Sequence, residues 1–194
     1  VDGHLYGSLV DIVHRGASTA LVAVGMAIVI GTRGIDLSVG SVIAISGAVM
    51  AVLIRDTSLS PFVIILAALG AGLLCGLWNG ILVAFLDIQP IIATLILMVA
   101  GRGIAQMITG GQIVTFHGAF FEAIGSGYLL GIPWRVIIAA IVIAGLWAIM
   151  RKTALGLFVE AVGGNARASR LAGIDARGIK VLAYVISGLC SAVA

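Results

Sequence analysis

Charged side chains are scarce in this chain of 194 residues: they make up 10% of it, while 61% of the residues are apolar. A soluble globular domain has roughly 25% charged and about 45–50% apolar residues. The mean hydropathy is +1.24. A water-soluble domain of this length has too little interior for so many apolar side chains. An ordinary cytosolic enzyme, a disordered chain and a nucleic-acid-binding domain are thereby excluded, and the composition points to lipid as the solvent. Cysteine is almost absent. Cys75 and Cys190 both lie in apolar runs and read as small core residues, with no disulfide or metal site implied. No His/Cys cluster has metal-ligand spacing. The nearest approach to a P-loop, Gly145 followed by Arg151-Lys152-Thr153, lacks the Gly before the Lys. Neither Gly-x-Ser-x-Gly nor His-Glu-x-x-His occurs. No catalytic residue, metal or cofactor is therefore expected on this chain.

The ends lack familiar signals too. There is no initiator Met and no basic-then-apolar-then-small leader pattern. The apolar stretch 181–194 stops without a cap or charged flank, so the chain reads as a fragment of a longer protein. His4, His14 and His117 fall in segments expected outside the membrane.

What is present is a series of apolar runs. A helical span needs about 20 residues. The candidates are 17–31, 39–54, 62–86, 91–109, 134–150 and 181–194, an all-helical, polytopic bundle of about six spans. The first two are short and flank a polar insertion, 32–38. Either they borrow flanking residues, or non-helical backbone lies at membrane depth, which is tolerated only where it is buried in protein or lines a watery cavity. The connection 151–180 carries Arg151, Lys152, Arg167, Arg170, Arg177 and Lys180, and the positive-inside rule makes it cytoplasmic. Alternation then places 33–36 and 87–90 inside, and 1–16, 55–61 and 110–133 outside. A cytoplasmic start would require one more span before residue 1.

Glycine is abundant, 27 of 194, about twice the usual ~7%. Gly72, Gly76 and Gly80 stand four apart, with Ala68 extending the stripe. Small residues in this register let two helix backbones approach, so a tight helix–helix contact is expected, with Asn79 beside it as an interhelical hydrogen bonder. Gly31-Thr32-Arg33-Gly34-Ile35-Asp36-Leu37-Ser38-Val39-Gly40 admits two readings. The glycines around Arg33 let the chain break beside a solute pathway, with Asp36 or Ser38 capping the next helix. Alternatively, it is a cytoplasmic turn with a local Arg33–Asp36 pair. Arg102 lies roughly 16 Å into its span at 1.5 Å per residue. A lone charge there costs about 2.5–3.5 kcal/mol or more. Either it pairs with Asp36 or with carbonyls of the broken segment, or it snorkels to the outer surface.

The cytoplasmic connection has a break–cap–helix–stop design. Gly163-Gly164 forms a joint, Asn165 an N-cap, residues 166–172 two helical turns, and Gly173 the C′ residue. Asp175 caps the following helix. The product is a short helix outside the membrane, with Leu171 flanked by Arg167 and Arg170 and shaped to dock in a groove of another protein.

These residues carry a family resemblance. Gly34-Ile35-Asp36-Leu37-Ser38-Val39-Gly40-Ser41 resembles the signature of permease subunits of bacterial sugar ABC importers of the ribose, xylose and galactose type. Gly163-Gly164-Asn165 through Ala172-Gly173-Ile174 resembles that family's cytoplasmic loop. Gly76-Leu77-Trp78-Asn79-Gly80 and Gln89-Pro90-x-x-Ala93-Thr94-Leu95 are similar to it as well. Stretches 96–116 and 151–164 look most like its galactofuranose branch. The likeness runs in order through nearly the whole chain. Arg33, with Thr32 beside it, departs from the Gly-Gly usual before Ile-Asp-Leu-Ser.

The resemblance implies one transmembrane permease domain in the bacterial inner membrane, here without its N-terminal span and C-terminal half. It implies partners: a second permease subunit, an ABC ATPase subunit carrying ATP and Mg, and a periplasmic sugar-binding protein. The helix after Asn165 would couple to the ATPase, and Gly34, Asp36, Ser38 and Arg102 would border the pathway for a pentose or hexose. Two rivals stand. An ion-coupled secondary transporter would need a carboxylate at membrane depth, for which Asp36 and Asp87 are candidates at segment ends. A structural membrane subunit would have no pathway.

Overall fold

The computed structural model describes residues 5–115, 119–129 and 131–194. Its main elements are helices: α1 (Leu5–Gly31), α2 (Val39–Asp56), α3 (Pro61–Ala84), α4 (Pro90–Ile108), α5 (Ala119–Ser126), α6 (Trp134–Lys152), α7 (Ala154–Leu171) and α8 (Ala176–Val193). Two short strands, β1 (Tyr128–Leu129) and β2 (Ile132–Pro133), pair antiparallel between α5 and α6. Among the described residues, six helices are long and apolar enough to cross a membrane: Ile12–Gly31, Val39–Asp56, Pro61–Ala84, Pro90–Ile108, Trp134–Lys152 and Ala176–Val193.

The helices begin where local chemistry permits. Pro61 and Pro90 occupy first-turn positions of α3 and α4, where the missing N–H has no intrahelical partner to lose. Asp175 accepts from the Arg177 N–H at 3.1 Å and starts α8. That start precedes the expected residue 181, because a helix can begin in solvent on its cap before it becomes apolar. Likewise α1 already runs through 5–16, the segment expected to lie outside.

α8 is the central post. Gly25 of α1 packs against Ser187 and Cys190 on one side of it. On the other side, Gly72 meets Gly188 and Ala192, Gly76 meets Tyr184 and Val185, and Gly80 meets Val181. Gly188 returns the contact to Gly72 and Gly76. The glycine stripe of α3 thus faces α8 at a backbone separation no side chain would allow. Ile28, Val29, Val83, Ala93, Val159, Ala183 and Tyr184 form the core around this post. α2 packs between α3 and α4, and Gly101 of α4 lies against Ser41 and Ile45. α6 sits at the edge, with Ala139 its one buried residue, packed near Ala17 and Leu21 of α1. Cys75 and Cys190 are both free thiols. His4 and His117 lie outside the described residues, and His14 lies in α1.

Candidate functional site: a broken helix and a capped projecting helix

α1 ends at Gly31 in a Schellman-type stop. The Arg33 N–H donates to the Ile30 carbonyl at 2.9 Å, and the Gly34 N–H donates to that of Val29 at 3.0 Å. The left-handed residue this stop requires is Arg33, at φ 61°. Neither bracketing glycine has a positive φ. Gly34 is small for another reason: a methyl there would lie 2.7 Å from the Tyr184 hydroxyl and 2.8 Å from a Val29 methyl. Arg33 therefore stands at the position that glycine serves best, where a side chain costs roughly 1–2 kcal/mol. This is the physical content of the sequence's departure from Gly-Gly.

From Thr32 to Ser38 the residues alternate: Thr32, Gly34, Asp36 and Ser38 are buried, while Arg33, Ile35 and Leu37 are exposed. Asp36 is 3% exposed. Its Oδ1 accepts from the Ser38 N–H at 3.0 Å and the Ser38 hydroxyl at 2.6 Å, and its Oδ2 accepts from the Ser187 hydroxyl at 2.8 Å. Asn79 Nδ2 donates to Ser38 Oγ at 2.8 Å. The Ser41 hydroxyl bonds the carbonyls of Ser38 and Leu97. Ser187 stands six residues past the start of the apolar run of α8 at 181, roughly 9 Å along the helix at 1.5 Å per residue. The segment therefore reaches membrane depth. Bonds from α3 (Asn79 to Ser38), α4 (Thr94 to the Ile35 carbonyl) and α8 (Ser187 to Asp36, Tyr184 to the Ile35 carbonyl) tie it into the bundle, as buried irregular backbone requires.

Three expectations change here. The local Arg33–Asp36 pair does not form, because Arg33 points outward while Asp36 is held by Ser38 and Ser187. Ser38 precedes α2 but makes no side-chain cap, since its hydroxyl proton goes to Asp36. Arg102 does not meet Asp36: it is exposed on α4, six residues before Ile108, and has no hydrogen-bond or ion-pair partner among the described residues. Gly34, Asp36 and Ser38 are thus brought together inside the bundle, and Arg102 stands apart on its outer face. Sequence reasoning missed Ser187 and Tyr184, whose hydroxyls bond Asp36 and the Ile35 carbonyl. Two polar residues three apart on an apolar helix were the available signal.

The second feature is α7. Its first part, up to Gly164, is also helical and packs Gly156, Val159, Val162 and Gly163 inward. Gly163 is less a joint than a contact, since a Cβ there would strike the Gly31 carbonyl. The bend falls at Asn165, at φ −155° and ψ 98°. Asn165 Oδ1 accepts from the N–H groups of Arg167 and Ala168, each at 3.0 Å, as an N-cap does. The stop is a second Schellman arrangement: the Gly173 N–H donates to Arg170 O and the Ile174 N–H to Ser169 O, with Gly173 at φ 86°. Ser169 is buried, Arg167 and Arg170 are exposed, and Leu171 is 92% exposed. The Gly173 stop leads directly into Asp175 and α8. No metal-binding group of His, Cys, Asp or Glu is present among the described residues.

Six helices able to cross a membrane, a buried break between α1 and α2 and a capped, projecting helix describe a polytopic membrane subunit. Residues 8–194 match the family described as the branched-chain amino acid transport system permease component, and the chain belongs to that family. It is 56% identical over 193 residues to a galactofuranose transporter permease of Escherichia coli K12, covering 100% of this chain and 56% of that protein. It is 42% identical to a fructose import permease of Bifidobacterium longum (99% of this chain, 55% of the relative). It is 40% identical to a ribose import permease of Haemophilus influenzae (96% and 59%). The chain spans somewhat over half the length of these curated relatives. No solved structure matches it at a significant level.

Proposed function

We propose that the chain is the permease part of an ATP-driven ABC importer that moves a monosaccharide, a pentose or hexose, across the bacterial inner membrane by alternating access. The relatives' names support sugar import, with galactofuranose the foremost candidate substrate. The partners in this reading are a second permease subunit, an ATPase subunit that carries ATP and Mg, and a periplasmic sugar-binding protein. The chain itself is non-catalytic. The pathway runs along the outer face of α4, where Arg102 is solvated by water or sugar rather than lipid.

The capped helix after Asn165 carries the reading. Leu171 is exposed to water beside Arg167 and Arg170 at the end of a segment fixed by two caps, a shape suited to an apolar socket with an acidic rim. Its motion passes through Gly173 and Asp175 to α8. From there it reaches Ile35 through Tyr184 and Asp36 through Ser187. A push on the cytoplasmic helix thereby reaches the break between α1 and α2. Leu171→Asp removes the anchor without touching the core. In the full-length protein, insertion and thermal stability are expected to stay within about 0.5 kcal/mol of the parent. ATPase copurification and uptake should fall tenfold or more, as for a buried interface anchor. Unchanged copurification and uptake would refute the docking role.

One observation favours an ion-coupled carrier. Asp36 is a carboxylate at membrane depth rather than at a segment end, whereas Asp87 is exposed in the α3–α4 turn. Against that reading, both Asp36 oxygens already hold hydrogen bonds: Oδ1 accepts from Ser38 within the break, and Oδ2 accepts from Ser187 and fastens the break to α8.

A further inference from the structure

α6 is the outermost span, and its cytoplasmic end is unlike the rest of the surface. Trp147 is 59% exposed. Arg151 follows one turn later, in register i, i+4, with Lys152 beside it; both are exposed in the last turn of α6. Neither cation has an ion-pair or hydrogen-bond partner among the described residues. Thr153 then turns the chain. It adopts extended angles, and its hydroxyl accepts from the Leu155 N–H at 3.2 Å to cap α7. Gly156 packs against the Met150 carbonyl at this corner, too close for any side chain. α7 is thereby directed across the end of α1, with Val159 and Gly163 both against Gly31. Its opposite side presents Leu157, 69% exposed, and Phe158. Glu160, on the exposed side of α7, is the nearest carboxylate along the chain and pairs with neither cation.

We propose that the corner formed by Trp147, Arg151, Lys152, Leu157 and Phe158 is a binding site for the headgroup of an anionic phospholipid. Each part matches one layer of the bilayer edge. Indole rings settle at the headgroup level. Unpaired cations just beyond the hydrocarbon attract anionic headgroups. Outward apolar residues on an interfacial helix enter the acyl boundary. The Thr153 cap and the close contact of Gly156 with Met150 fix the corner between the two helices that carry these residues, so the site is defined by the fold and not by a mobile basic tail. The inference rests on membrane insertion alone and is independent of what the protein transports.

Trp147 provides the readout. In full-length protein with every tryptophan but Trp147 changed to Phe, reconstituted in mixed vesicles, brominated phosphatidylglycerol should quench Trp147 at about tenfold lower mole fraction than brominated phosphatidylcholine. Arg151→Gln with Lys152→Gln should remove that preference, while Arg151→Lys should keep it and show that folding is not the cause. Equal quenching by the two lipids would overturn the proposal. So would absent quenching, which would mean that protein covers the corner. Loss of ATPase copurification in the double Gln variant, with the lipid preference intact, would also overturn it and make the corner part of the ATPase dock.

Discussion

Gly76→Ala is expected to lower the stability of the bundle by about 3 kcal/mol or more, whereas Gly70→Ala on the same helix leaves it unchanged or raises it slightly. The two substitutions add the same methyl to the same helix, so propensity favours both by roughly 0.5–1 kcal/mol. They differ in what the methyl meets. At Gly70 nothing lies within 4 Å. At Gly76 it would sit 2.5 Å from the Tyr184 carbonyl oxygen and 2.8 Å from Val185 Cα. Both obstacles are backbone and cannot rotate away. α3 and α8 must part, and overpacking of this kind costs about 1–3 kcal/mol even where side chains can yield. Parting them also loosens Asn79 from Ser38. Thermal unfolding of the purified full-length protein in detergent, with both variants in parallel, checks the difference. Equal midpoints would mean that this contact is not the one that holds the bundle.

The second large effect is at Asp36. Asp36→Leu strips the acceptor from the Ser38 N–H, the Ser38 hydroxyl and the Ser187 hydroxyl together. A buried donor left without an acceptor costs about 1–3 kcal/mol, and the hydroxyls recover part of theirs by rotating to nearby carbonyls. The net loss expected is about 3 kcal/mol, seen as a collapse of the folded fraction in size-exclusion chromatography. Asp36→Asn keeps an acceptor oxygen toward Ser38 and offers an N–H toward Ser187, whose hydroxyl can turn to accept it. It should fold, with a loss near 1 kcal/mol, and retain substantial uptake. A folded Asp36→Asn protein with no uptake at all would instead give the carboxylate an ion-carrying role.

The spans were legible because hydropathy alone defines them, and all six lie where the apolar runs do. Their ends were less so. Lipid sets where a run must be apolar, but caps set where a helix starts, so Asp175 moves the start of α8 ahead of the apolar run. The projecting helix could be read in detail because Asn165 and Gly173 act locally, within four residues. The first part of α7 was missed because its inward positions are mostly small and its outward ones include Leu157 and Phe158, so its two faces look alike in sequence. The Asp36 network was beyond reach for the opposite reason. Its Ser187 partner lies 151 residues away, and nothing in a single sequence tells which polar residues of separate helices will meet. For Arg102, the charge at depth was plain but its facing was not: the buried side of α4 is made of Ala93, Thr94, Leu97, Gly101 and Ala105, which leaves position 102 outside.

In the importer proposed for this chain, the moving force arrives through the helix after Asn165 from ATP and not through Asp36 from an ion gradient. Uptake of labelled sugar by vesicles holding the complete importer measures this directly, with internal ATP maintained and the proton and sodium gradients collapsed. Uptake should continue undiminished in that state and stop when ATP is withheld with the gradients restored. Uptake that stops with the gradients and continues without ATP would make Asp36-linked ion coupling, not ATP, the driving force.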